Sequence, residues 1–215
     1  MNFTDDDRKE LKKVLNTLFE HGFSAALNAS YFDEETEFWY GLDESIEAWE
    51  KQNRDLLNEL GITIANGVTK VCLLFDDNYD WVVKMNAIDW ENETDYCGIE
   101  LHNYQEAVNA GLQYYFAEEI YFDTFKSEDD IINVYVQQYA AQDVDRIEEA
   151  FFDYAEENYG DRYEEVYENS DRLEAVFGEP RLITFCFEHN INDLHEANYG
   201  FLENGNCVII DYSGY

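Results

Sequence analysis

Past Gly61 the chain changes character, and that change restricts the fold more than any other feature. The segment "ITIANGVTKVCLLFDDNYDWVVKMN" is β-branched and aromatic, and it is punctuated by Asn66-Gly67 and by the polar run Asp76 to Asp80. Alternating apolar runs joined by such short turn sequences predict strands over 62–65, 68–75 and 80–86 in an antiparallel meander. A meander needs something to cover its apolar face. The flanking segments supply amphipathic helices: Leu11, Val14, Leu15 and Leu18 share one face after the cap Thr4. Ile46, Trp49, Leu56, Leu57 and Leu60 share another, between Asp43 and Gly61. The predicted class is therefore α+β.

Downstream, "GIELHNYQEAVNAGL" reads as a helix, and "FAEEIYFDTF" and "IINVYVQQYA" read as two further strands. From Asp143 to Glu179 the chain holds 14 acidic and 3 basic residues with apolar and aromatic residues at helical spacing, which predicts two acidic amphipathic helices. "PRLITFCFEHNI" predicts an apolar helix opened by Pro180, followed by a polar loop and a last hydrophobic strand.

Composition sets bounds on function. The 13 basic and 49 acidic residues give a formal net charge of −36, a field that repels nucleic-acid phosphates and excludes direct nucleic-acid binding through a basic footprint. The same field favours a basic protein surface as partner. Aromatics at 17% set the chain apart from disordered acidic tails. Cys72, Cys97, Cys186 and Cys207 form no CxxC pair and fit reduced thiols. With no apolar leader and no long apolar stretch, the expectation is a soluble, cytoplasmic protein without membrane contact.

The final segment carries the chemistry. In "NDLHEANYGFLENGNCVIIDYSGY", Asp193 is followed after four residues by Asn198, and a hydrophobic strand then delivers Asp211-Tyr-Ser-Gly. Histidines 189 and 195 lack the helical i, i+4 spacing of zinc-binding pairs, and Ser213 lacks the glycine of a nucleophile elbow. The pattern resembles the protein-kinase-like superfamily, whose catalytic-loop Asp, Asn and metal-binding Asp recur at this spacing, and "DLHxxN" is most similar to the aminoglycoside-phosphotransferase branch. Upstream, Lys84 in "WVVKM" resembles the phosphate-binding lysine of the third strand. Glu100 on the following helix is its implied partner, with Glu106 as the alternative, and Gly67 lies in the first turn of the sheet.

The resemblance implies a reduced two-lobed kinase-like fold: a helical extension over 1–60, an antiparallel N-lobe over 61–138, and a small helical C-lobe over 139–215 that stops soon after Asp-Tyr-Ser-Gly. It further implies ATP and Mg²⁺ as cofactors, Asp193 as catalytic base, Asn198 and Asp211 on the metal, and Lys84, Glu100 and Gly67 on the nucleotide. Ile191 and Asn192 stand where the family carries His and Arg or His and Gly. An alternative function stays open beside the phosphotransferase. It is a catalytically inactive, highly acidic inhibitor of the nucleic-acid-mimic type used by phages and mobile elements, binding a basic nucleic-acid-handling protein.

Overall fold

The computed structural model describes residues 1–27, 31–33, 38–40, 42–67, 69–76, 80–87, 94–126, 131–160 and 169–214. The architecture is α+β, and the chain divides into two compact units: Met1–Gly98 with Glu119–Gln138, and Ile99–Glu118 with Tyr139–Tyr215. The middle of the expected turn at 76–80, and Tyr163, Val166 and Tyr167 of the expected acidic helices, lie outside the described residues. Among the described residues no helix is long and apolar enough to cross a membrane.

The first unit opens with α1 (Asp5–Glu20). Thr4 accepts from the Asp7 N–H while the Asp7 carboxylate accepts from the Thr4 N–H, a reciprocal cap that uses the orphan donors of the first turn. Leu11, Leu15 and Leu18 then fall on one buried face. After α2 (Phe23–Leu27) and the short antiparallel pair β1 (Tyr31–Asp33) and β2 (Phe38–Tyr40) come α3 (Leu42–Gln52) and α4 (Arg54–Leu60).

The sequence predicted one helix where α3 and α4 are two, and Asn53 explains the break. Its side-chain amide donates to the Trp49 carbonyl at 3.0 Å, competing with the backbone ladder. Gly61, in the left-handed region at φ 61°, ends α4 as predicted.

The sheet comprises β3 (Ile62–Asn66), β4 (Lys70–Phe75), β5 (Trp81–Asn86), β6 (Glu119–Lys126) and β7 (Ile131–Gln138). All neighbours are antiparallel, in the order β3-β4-β5-β7-β6. Helix α5 (Tyr96–Ala110) connects β5 to β6 in sequence. Alternation separates the two faces. Val83 and Met85 of β5 and Ile132, Val134 and Val136 of β7 join the leucines of α1 and Ile46, Trp49 and Leu57 of α3 and α4 in one apolar core. The helices of 1–60 thus share the core of the sheet. The opposite face carries Lys84, in register with Cys72 and Tyr135, together with Gln137 opposite Glu119. This polar face is itself buried, with Lys84 only 3% exposed.

The second unit contains the rest of α5, a 3-10 turn Gln113–Tyr115, and α6 (Val144–Tyr159), α7 (Asn169–Phe177) and α8 (Pro180–Glu188). A 3-10 turn Glu196–Asn198 leads into the hairpin β8 (Tyr199–Phe201) and β9 (Cys207–Ile209). Its core gathers Phe116, Ile147, Leu173, Leu182, Phe185, Leu194, Tyr199, Ile209 and Tyr212. Strand β9 was expected and β8 was not. Its centre is Gly200, which no strand propensity favours, but any Cβ there would lie 2.8 Å from that of Ala140. Glycine is what lets β8 approach Ala141, whose N–H and carbonyl both bond to Phe201, at 2.9 and 2.8 Å.

Candidate functional site

Asp193, Asn198 and Asp211 lie within the second unit, and its local structure brings them together. Helix α8 ends at His189, and Asn190 turns the chain through the left-handed region at φ 55°. Ile191 and Leu194 are then buried while Asn192 and Asp193 stay exposed, so two apolar anchors hold a polar loop at the surface. His195 caps the following 3-10 turn, with its Nδ1 accepting from the Ala197 N–H at 3.3 Å. His189 stacks on Phe185 at 4.2 Å between ring centroids. Both histidines thus have local structural roles.

Asn198 closes the loop. Its side-chain Nδ2 donates to the backbone carbonyl of Asp193. That bond decides the orientation of the amide: the nitrogen faces the loop, and Oδ1 is the acceptor on the other side. The hairpin register pairs Tyr199 with Ile209, and the Ile210 N–H donates to the Asn198 carbonyl at 2.8 Å. Asn198 therefore lies just before β8 and Asp211 two residues beyond β9, at the same end of the hairpin.

The residue after Asp211 is held from three directions. The Tyr212 N–H donates to Glu100 Oε1 at 3.1 Å, its carbonyl accepts from Asn103 Nδ2 at 2.8 Å, and its hydroxyl donates to the Ala117 carbonyl at 2.7 Å. Glu100 and Asn103 are one turn apart on α5, so one face of that helix grips both polar groups of a single peptide residue. Ser213 Oγ donates to Asp211 Oδ1 at 3.2 Å.

The remaining predicted residues are placed as follows. Glu100 is completely buried, and its carboxylate is used on the Tyr212 N–H within its own unit. Glu106 accepts only a long bond from Asn109 at 3.4 Å on the surface of α5, so Glu100 is the inward glutamate. Lys84 lies on the polar face of β5 in the first unit. The Gly67 N–H donates to the Lys70 carbonyl at 2.9 Å and closes the β3–β4 turn.

Sequence reasoning missed the supports. Asp95 caps α5 through the Gly98 N–H at 2.8 Å and also accepts from Asn86, from Asn133 at 3.0 Å and from the Tyr135 hydroxyl at 2.6 Å. Burial alone would raise its carboxyl, but these four donors outweigh it and hold the group below its ordinary 3.8. Asn86, Asn133 and Tyr135 all lie on the Lys84 face of the sheet, so Asp95 ties the start of α5 to that face.

In the second unit, Arg172 of α7 donates through Nη1 to the Leu194 carbonyl at 2.9 Å, and Gln142 Nε2 donates to the Ala197 carbonyl at 2.6 Å. The Arg172 Nε is buried without a hydrogen-bond partner, a placement that costs about 1–3 kcal/mol. Arg146 of α6 stacks over the Phe201 ring at 3.9 Å. The two described basic residues of the acidic region are thus turned onto the loop and hairpin. No local sequence signal distinguishes them from surface arginines.

The donor chemistry at the hairpin end fits a hard divalent cation. An amide oxygen and a carboxylate are the oxygen ligands Mg²⁺ accepts, and it needs few from the protein because it keeps several waters. Among the described residues no group of three or more His, Cys, Asp or Glu is arranged to hold a metal, and the pair here is one amide with one carboxylate. No protein-family model matches the chain, and no curated protein matches it in sequence.

Proposed function

We propose that this chain is a kinase-like nucleotide-binding protein, in which Asn198 Oδ1 and the Asp211 carboxylate hold the Mg²⁺ of Mg-ATP and Asp193 accepts a hydroxyl proton. The observation that carries this reading is the hairpin register. It bonds the Asn198 carbonyl to the N–H of Ile210, the residue before Asp211, while the Asn198 amide nitrogen is tied to the Asp193 backbone. Further support comes from Lys84 on the third strand of the five-stranded sheet and from a helix joining the third strand to the fourth. Both match the resemblance seen in the sequence.

The chemistry assigned to each residue follows from its environment. Asp193 is exposed on a loop anchored by buried Ile191 and Leu194, so its carboxylate can meet a substrate hydroxyl without moving the core. Asn198 turns its amide nitrogen to the Asp193 carbonyl, so its Oδ1 faces away from that bond. Bound Mg²⁺ would neutralise phosphate charge, and the resemblance assigns Lys84 to phosphate binding. The test is thermal unfolding with millimolar Mg-ATP. Ligand at 100 times Kd stabilises by about 2.7 kcal/mol, and Asp211→Asn is expected to remove the shift. Absence of any shift in the wild-type protein refutes the reading.

A second reading is supported by α6, where Asp145, Glu148, Glu149, Asp153, Glu156 and Glu157 all point outward. In that reading the protein is an acidic inhibitor whose partner is a basic, nucleic-acid-binding protein. Capture from lysate should then weaken steeply between low and high salt. Salt-independent capture counts against it.

A further inference from the structure

We infer that Arg172 is the positioning residue of the Asp193–Asn198 loop, holding it from α7. The inference rests on the nucleotide-and-metal reading of that loop. The two positions before Asp193 are Ile191 and Asn192, so the loop brings no cation of its own to that place. Arg172 supplies one from a different element. Its Nη1 bonds the carbonyl of Leu194, the residue next to Asp193, whose own side chain is fully buried.

Fixing that carbonyl fixes the peptide plane leading into His195. Both N–H groups of the following turn are measured against His195: Ala197 donates to its Nδ1 at 3.3 Å, and Asn198 donates to its carbonyl at 2.9 Å. The Asn198 side chain then returns to the Asp193 carbonyl. Arg172 thus sets the base of a short ring of bonds that aims Asn198 Oδ1 and carries Asp193. Gln142 secures the far side through the Ala197 carbonyl.

The position of Arg172 is not that of a surface charge. It lies in a strongly acidic segment of the chain, yet among the described residues it forms no salt bridge. Its guanidinium lies 5.8 Å from the Phe151 ring, and its Nε is buried without a partner. Packing therefore holds the group with one edge on the loop and the other in the core.

The test uses the full chain with Arg172→Met, which keeps the stem but removes charge and donors, and Arg172→Lys, which keeps the charge and one donor. Calorimetric titration with ATP is run with Mg²⁺ and again in EDTA, alongside amide hydrogen exchange. In Arg172→Met, Mg-ATP affinity is expected to fall about tenfold, the loss of one charge-assisted bond. Metal-free ATP affinity should change less than about twofold, because only the metal ligands are misaimed. The Ala197 and Asn198 amides should exchange about tenfold faster while α8 stays protected. Lys should restore most of each effect.

Unchanged exchange at Ala197 and Asn198 overturns the inference. So does a loss of protection spread over the whole unit that Lys does not rescue. Should the wild-type protein bind no Mg-ATP, the proposed function falls and the exchange measurement alone decides the role of Arg172.

Discussion

Asp95→Asn is the perturbation whose consequence can be worked most fully from the structure. The Asp95 carboxylate accepts four hydrogen bonds, two on each oxygen: Asn86 and Gly98 on Oδ1, Asn133 and Tyr135 on Oδ2. An asparagine that keeps its oxygen on the Gly98 side points an NH₂ group at the Asn133 amide and the Tyr135 hydroxyl. Tyr135 can rotate its hydroxyl to accept. Asn133 cannot flip freely, because its Oδ1 accepts from Thr124 Oγ1 at 2.9 Å. The net loss is one charge-assisted bond and one donor left facing a donor, about 2–4 kcal/mol. With a urea slope of about 2 kcal/mol/M, the midpoint should fall by about 1–2 M at pH 7. Tryptophan fluorescence can follow this, since Trp49 and Trp81 are buried in the same unit. The sign with pH is also set. The folded carboxyl lies below its ordinary 3.8, so its stabilisation is complete above that value and is lost as pH falls through the folded value. The gap between wild type and variant should therefore hold from pH 7 to about 5 and shrink below 3.8. A midpoint change under about 0.3 M at pH 7, or a gap indifferent to acid, refutes the reasoning.

Gly98→Ala raises helix propensity by about 1 kcal/mol, yet it should destabilise, because its Cβ would lie 2.8 Å from the Asp95 carboxyl carbon and 3.1 Å from the Tyr135 hydroxyl. A lower urea midpoint is expected, and a higher one would show that Asp95 can give way. Tyr212→Phe leaves the buried Ala117 carbonyl without its 2.7 Å partner and should cost about 1–3 kcal/mol in chemical unfolding. Burial pushes the Cys186 thiol up to about 12. It also pushes Cys207 up to about 11, despite the opposing Arg146 charge and Val208 N–H. At pH 8 iodoacetamide should therefore alkylate both at least about 100-fold more slowly in the native protein than in urea, with mass spectrometry reading the sites.

What could be read from the sequence was what is local. The three strands of 62–86 and the helix from Pro180 are carried by periodicity and by turn or cap residues within each segment, and the structure follows them closely. Asp193, Asn198 and Asp211 were singled out by their spacing along the chain, and they lie on one loop and at the end of one hairpin. Asn53 was not legible as a break, because the competing bond is a side-chain choice that helical spacing does not encode. Strand β8 was hidden by its glycine, whose reason is Ala140, sixty positions earlier. Asp95 escaped notice because its partners come from Asn86, Gly98, Asn133 and Tyr135, which only the folded sheet assembles.

The segment Asp211 to Gly214 is fixed by such non-local constraints. Here Tyr212 is held at its N–H, its carbonyl and its hydroxyl by three different residues. Ser213 is buried and bonded back to Asp211. Gly214 adopts φ 67°, and any Cβ would fall 2.0 Å from the Asn190 carbonyl, so no other residue fits against the helix-to-loop turn that precedes Asp193. Three consecutive residues are thus immobilised, by α5 on one side and by the approach to the Asp193 loop on the other. The fourth, Asp211, stays half-exposed. Such a surround restrains the chain around one acid without burying it.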